Sequence, residues 1–300
     1  MSPLVTDIIE ASGLTKKFGR TQALAGLDLR VAEGEVHGFL GPNGAGKSTT
    51  IRVLLGLIHR SGGDASVFGL DPWTQSVDIH RRLAYVPGDV SLWPSLSGGE
   101  VIDLLTSLRG GADPQLRAQL ITDFEFDPRV KSRNYSKGNR QKVALIAAFA
   151  RRADLYVFDE PTSGLDPVME SVFRRQVDRV RADGATVLLS SHILSEVEEL
   201  CDRVTIIRSG VTVETGTLTE LRHLTRTSFT AVTAADVATV ASLAGVHDAR
   251  REGDRLQFDV DSDALPTVLS TLAGLGLEGL TVTPPSLEEL FLRHYSEASN

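Results

Sequence analysis

Gly41-Pro42-Asn43-Gly44-Ala45-Gly46-Lys47-Ser48 stands between two segments of different period. Before it runs Glu35-Val36-His37-Gly38-Phe39-Leu40, short and mostly apolar, which reads as a buried strand. After it, Ile51, Leu54, Leu55 and Ile58 recur at helical spacing, so a helix is expected over Lys47 to Ile58. Strand, tight glycine loop and helix therefore follow in order, and the loop satisfies G-x-x-x-x-G-K-[ST]. Such a loop curls so that consecutive backbone N–H groups face phosphate oxygens, and the next helix directs its positive end at the anion. The expected cradle comprises Gly41, Asn43, Gly44, Ala45, Gly46, Lys47, Ser48 and Thr49. Within it, Lys47 reaches the β- and γ-phosphates and the Ser48 hydroxyl ligates Mg²⁺.

Outward from the loop, strand-like runs recur at Leu83 to Val86, Leu155 to Phe158, Thr186 to Leu189 and Val204 to Ile207. Helical patterns at Val168 to Ala182 and Ser195 to Leu200 separate the later ones. Alternation of this kind predicts an α/β fold with a mainly parallel core sheet. The middle, residues 90–152, reads as a helical subdomain. The pattern changes after about Arg222. There Arg226 to Thr233, Val246 to Asp261 (two strands around Glu252-Gly253-Asp254) and Leu280 to Thr283 read as strands. Asp236 to Leu243 and Leu265 to Leu275 read as helices. That β-α-β-β-α-β order predicts a small α+β ferredoxin-like domain. An amphipathic helix is expected over Ser286 to Tyr295, after Pro284-Pro285. The expected domains are 1–222 and 223–300.

Composition narrows the class. The 300 residues carry 31 Lys and Arg against 39 Asp and Glu, a net charge of −8. That balance argues against a duplex-DNA binder, whose affinity comes largely from Lys and Arg. Cys201 is the single cysteine, so no intrachain disulfide forms and a reducing compartment is expected. No apolar run approaches the roughly 18–20 residues of a membrane helix. Met1-Ser2-Pro3-Leu4 begins no secretory signal pattern. A cytosolic protein is expected.

A second motif says which nucleotide machine this is. Leu155-Tyr156-Val157-Phe158-Asp159-Glu160 is an apolar strand ending in two carboxylates, Asp159 suited to hold Mg²⁺ through water and Glu160 to polarise an attacking water. No Asn-Lys-x-Asp base-reading motif occurs, which counts against a GTPase. Gly41 to Thr49 (GPNGAGKST), Phe158 to Pro167 (FDEPTSGLDP) and Ser190-Ser191-His192, in that order, resemble the ATP-binding subunit of an ABC transporter, over about Ile9 to Leu221. The resemblance implies ATP and Mg²⁺ as cofactors and a homodimer that closes head to tail on two ATP molecules. It makes Glu160 and His192 catalytic, His192 contacting the γ-phosphate. It places Phe18 against adenine, with a buried structural Phe as the alternative, and Asp166 in a loop that communicates across the dimer.

Two segments compete for the signature loop that completes the partner's site. Leu96-Ser97-Gly98-Gly99-Glu100 spells nearly the family motif, and Tyr135-Ser136-Lys137-Gly138-Asn139 departs from it at three positions. Position favours the second, which stands at the family spacing before Asp159 and opens an apolar helix. Ser97 and Glu100 have their own explanation as a capping box. By resemblance, Ser136 and Gly138 face the γ-phosphate of the partner's ATP. Lys137 either strengthens that contact or points to solvent. After the strand Leu83 to Val86 the family places a Mg²⁺-ligating glutamine. Here the position holds Gly88, and either Asp89 substitutes or the metal keeps an extra water.

The signature variant, Gly88-Asp89 and the tail Pro285-Ser286-Leu287-Glu288-Glu289-Leu290-Phe291 together resemble the bacterial drug and antibiotic exporter branch, whose membrane subunit is a separate polypeptide. That implies an ATPase seated on the inner face of the cell membrane, powering efflux through an integral membrane permease, with no nucleic-acid partner. A non-transport ABC ATPase and a nucleotide-gated regulator are the alternatives.

Overall fold

Two twelve-residue strands, β1 (Asp7–Phe18) and β2 (Thr21–Ala32), open the chain and pair antiparallel. The computed structural model describes residues 6–223, 226–233 and 236–283, and the chain divides into two units, Met1–Thr215 and Gly216–Asn300. The helix expected over Ser286 to Tyr295 lies outside the described residues. β1 and β2 are not among the segments expected from sequence. Their register slips at several points, as between Ala11↔Leu29 and Leu14↔Leu27, and such bulges interrupt the period-two signal. Gly13 takes a positive φ of 55° within that slip, and its N–H donates to Asp28 Oδ1 at 2.8 Å.

Strand β3 (Val36–Leu40), buried at every residue, leads into the glycine loop and helix α1 (Lys47–Leu54). The helix ends before the expected Ile58. Gly56 adopts φ 65° there, and a Cβ on it would lie 2.1 Å from the Pro72 carbonyl oxygen, so chain direction and packing both require glycine. β4 (Gly62–Val67) then completes an antiparallel sheet of order β2-β1-β4. Ile9, Leu14, Leu27 and Leu29 from that sheet pack with Phe39, Ile51 and Leu54 in one core cluster. The glycine loop is thus held from both sides.

Helix α2 (Ser76–Arg82), strand β5 (Leu83–Val86), helices α3 (Gly98–Ser107), α4 (Pro114–Asp123) and α5 (Lys137–Phe149), strand β6 (Leu155–Asp159), helix α6 (Pro167–Ala182), strand β7 (Thr186–Ser191), helix α7 (Leu194–Leu200) and strands β8 (Arg203–Arg208) and β9 (Val211–Thr217) follow. The second sheet has the order β5-β6-β7-β3-β8-β9, and its strands from β5 to β8 pair in parallel. This is the mainly parallel core of an α/β fold, with α3, α4 and α5 forming the helical segment. α5 buries every residue of its apolar second half, Val143 to Phe149, while its polar first half stays partly open. Phe149, Tyr156, Phe158 and Phe173 cluster beneath the end of β6, with Phe158 and Phe173 edge to face at 5.2 Å. Truncating Phe158 to Ala would cost about 3–5 kcal/mol and loosen the strand that carries Asp159.

In the second unit, α8 (Leu218–His223) precedes β10 (Thr227–Thr233), α9 (Val237–Ala241), β11 (Val246–Glu252), β12 (Arg255–Val260), α10 (Leu265–Ala273) and β13 (Leu277–Thr283). The sheet order is β11-β12-β10-β13 with antiparallel pairing throughout, the ferredoxin-like arrangement. Alternate residues of β10 are buried, and Phe229 stacks on Phe258 at 5.3 Å above Val240, Val268 and Leu272.

Candidate active site

The parallel order of the second sheet brings the C-terminal ends of β3, β6 and β7 side by side, where an open α/β sheet places its ligand crevice. Leu40 ends β3 and the glycine loop starts there, Asp159 ends β6, and Ser190 and Ser191 end β7. Gly44 and Gly46 hold φ of 82° and 114°, and Gly46 is the N-cap of α1 without a side-chain cap. The first-turn N–H groups of α1 therefore have no side-chain acceptor and point into the loop. A cavity of about 150 Å³ lies over it, lined by Asn43, Gly44, Lys47, Ser48, Thr49 and Glu160 among others.

Lys47 is buried, and its ammonium donates to the carbonyl oxygens of Gly41 at 2.6 Å and Pro42 at 3.2 Å. Burial pushes its pKa below the usual lysine value, while the charges of Glu160 and then Asp159 oppose that shift. Glu160 Oε1 lies 3.5 Å from Lys47 Nζ and 3.3 Å from His192 Nδ1. One carboxylate oxygen thus meets a cation from the glycine loop and an imidazole from the segment after β7. Glu160 holds a positive φ of 50°, uncommon for a residue with a side chain, and its N–H donates to Ser190 O at 3.1 Å and Ser190 Oγ at 3.2 Å. Asp159 is buried and accepts from Ser190 Oγ at 2.6 Å. Tyr85, on neighbouring β5, has its phenol pushed up to about 12 by burial first and by Asp159 second.

Sequence spacing alone does not bring out Ser190 as the structural partner of Asp159 and Glu160. The paired hydroxyls at the end of β7, just before His192, are the readable signal. His192 itself is exposed.

Ser136 is the N-cap of α5 and accepts from Asn139 N–H at 3.2 Å. Lys137 does not simply point to solvent, because its Nζ meets Ser163 Oγ at 2.5 Å. Gly138 backs onto Gly164 so closely that a Cβ would lie 2.4 Å from the Gly164 carbonyl oxygen. Asp166 caps α6, accepting from the N–H groups of Val168 and Met169 at 3.0 Å each. Ser97 and Glu100 form a complete capping box at the start of α3. Phe18 is 50% exposed, with the Lys16 ammonium 4.9 Å from its ring centroid, so it is no core side chain. At Gly88 a Cβ would approach the Asp159 carbonyl oxygen to 3.0 Å.

Among the described residues no group of three His, Cys, Asp or Glu forms a metal cluster. The donors present suit Mg²⁺ all the same, since that ion binds through one or two protein oxygens with waters and phosphates completing its shell. Ser48 offers a hydroxyl in the first turn of α1, and Asp159 a carboxylate oriented by Ser190.

Residues 24–163 match the family model described as ABC transporter, and residues 216–295 match that of the ATP-binding protein DrrA1-3-like, C-terminal domain. The daunorubicin/doxorubicin resistance ATP-binding protein DrrA of Streptomyces peucetius is 40% identical over 231 residues, covering 74% of this chain and 69% of that one. The linearmycin resistance ATP-binding protein LnrL of Bacillus subtilis is 28% identical across 95% of this chain and 97% of its own length. A solved ATP-binding subunit of an ABC transporter superposes with a TM-score of 0.66 at 31% identity, over 72% of this chain and 92% of that one.

Proposed function

From the chain's membership of the ABC transporter family, as an ATP-binding protein and ATPase of that family, we propose that it powers efflux of a drug or antibiotic-like compound through a separate membrane subunit. The observation that carries the cargo class is the pairing of an ABC cassette with a DrrA-like C-terminal domain, together with relatives named for daunorubicin and linearmycin resistance. The active unit is a homodimer on the inner face of the cell membrane, and the second unit (Gly216–Asn300) serves dimerisation or regulation.

In the proposed cycle the backbone of Gly41 to Thr49 and the Lys47 ammonium bind the ATP phosphates. Lys47 exchanges its contacts with Gly41 and Pro42 for phosphate oxygens. Ser48 and Asp159 would hold Mg²⁺, which when bound would neutralise charge on the phosphates. Glu160, within reach of Lys47 and His192, takes the proton of the attacking water, and His192 orients toward the γ-phosphate. Phe18, with an open face, stacks on adenine. Ser136 and Gly138, at the start of α5, meet the γ-phosphate of the partner's ATP, and the Asp166 turn lies in the same interface.

A groove of about 550 Å³ supports a membrane partner. It is lined by Leu57, Val77, Leu83, Tyr85, Leu105 and Leu108, and a neighbouring pocket reaches Trp93. Leu108 is 75% exposed and Val77 65%, and apolar side chains so grouped and so open mark an interaction site. Among the described residues no helix is long and apolar enough to cross a membrane.

The test is reconstitution. The chain is co-expressed with a candidate integral membrane permease in a drug-sensitive host, and daunorubicin accumulation is measured. ATP-dependent loss of accumulation, abolished by Lys47→Ala, is expected. ATP hydrolysis without efflux of any of a panel of lipophilic antibiotics would overturn the export role and leave the ATPase.

A further inference from the structure

Glu196 lies in the first turn of α7, and its two carboxylate oxygens serve two different loops. Oε1 accepts from Thr162 Oγ1 at 2.5 Å, and Oε2 accepts from Ser191 Oγ at 2.7 Å. Thr162 and Ser191 are both buried. Thr162 follows Glu160 by two residues, and Ser191 directly precedes His192. A single carboxylate therefore bridges the loop that begins at Glu160 and the turn that presents His192. The Ser191 hydroxyl is also held from the other side, accepting from Ile193 N–H at 2.9 Å. Two buried hydroxyls that converge on one acceptor are costly to leave without it, so the bridge fixes the spacing of the loops.

We infer that Glu196 is a positioning residue for ATP hydrolysis, setting the 3.3 Å approach of Glu160 and His192 by holding Thr162 and Ser191 on one side chain. The inference rests on the ATPase function proposed above. Glu196 touches neither reacting group, and its effect runs through the two loops. A displacement of the order of 1 Å between such groups lowers turnover by up to about a hundredfold while leaving the phosphate cradle intact. The competing explanation is that an acidic residue merely stabilises the first turn of a helix. That role would lower the melting temperature without separating kcat from KM.

Steady-state ATP hydrolysis and thermal melting are measured on the full chain and on Glu196→Ala, Glu196→Gln, Thr162→Val and Ser191→Ala. Glu196→Ala should lower kcat about tenfold or more with KM for ATP changed less than about twofold. Glu196→Gln should restore kcat to within about threefold of the parent, because an amide accepts from Thr162 and donates to the Ser191 hydroxyl. Thr162→Val should lower kcat in the parent and have no further effect in the Glu196→Ala background. If Glu196→Ala does not fold, the Thr162→Val and Ser191→Ala variants decide by the same kcat criterion. Unchanged kcat in the alanine and valine variants, or equal losses for Gln and Ala, would overturn the inference alone. A wild-type chain that hydrolyses no ATP would overturn the proposed function and this inference with it.

Discussion

His192 Nδ1 stands 3.3 Å from Glu160 Oε1, across the gap between the ends of β7 and β6. The same oxygen is 3.5 Å from the Lys47 ammonium. Three elements distant in the chain therefore converge on one carboxylate, in the positive-φ backbone that the Ser190 contacts hold. Proton acceptance requires an accessible carboxylate with an orienting partner, and this one has both.

Replacing Glu160 by Gln keeps the side chain's size and removes its capacity to take a proton. ATP hydrolysis should fall by about 10²–10⁴-fold while ATP-dependent dimers accumulate. Phosphate release and size-exclusion chromatography read the two effects. Near-normal turnover would remove Glu160 from the role of base.

Lys47 is buried against its own loop, so its loss should be felt at binding before chemistry. Lys47→Ala should abolish binding of a fluorescent ATP analogue, with little change in the melting temperature of the nucleotide-free chain. An unchanged dissociation constant would refute the phosphate-loop assignment.

Ser97 and Ser136 cap different helices by the same kind of bond. Each Ser→Ala change should cost about 1 kcal/mol in a denaturant titration. The arginine changes should then differ, with Ser136→Arg stopping turnover and Ser97→Arg sparing it. The opposite ranking would make Leu96 to Glu100 the signature after all.

At Gly88 the space for a β-carbon ends at the Asp159 carbonyl oxygen. Gly88→Ala should displace the end of β6, destabilise by about 1–3 kcal/mol and lower kcat. A melting temperature equal to the parent's would show that the loop relaxes freely.

The site's chemistry was legible in sequence wherever it depended on contiguous residues. Gly41 to Ser48 sits on the strand-loop-helix that its glycines and flanking periods predict, and Ser97 with Glu100 forms the capping box that their spacing announces. What could not be read is lateral. Nothing local tells Ser190 that it will lie beside Asp159, because parallel strands pair through connections of many residues. The bulged pair β1 and β2 was hidden for a different reason, since each slip in register flips the exposed and buried faces. Lys137 offered two readings, and the Ser163 hydroxyl chose a third by being close at hand.

The seam between Gly138 and Gly164 has one further consequence. A β-carbon on Gly138 would run into the Gly164 carbonyl oxygen, and Gly164 holds a positive φ of 89° beneath the Lys137 side chain, so neither position takes a substituent without strain. The Lys137 side chain runs over Gly164, its Cγ and Cδ 3.2 Å from where a β-carbon there would sit, and its ammonium ties to Ser163 by a single bond. Residue 137 is thus a dial: shortening, lengthening or neutralising it changes both the cover over Gly164 and the tie to Ser163, and so how firmly the two loops grip each other.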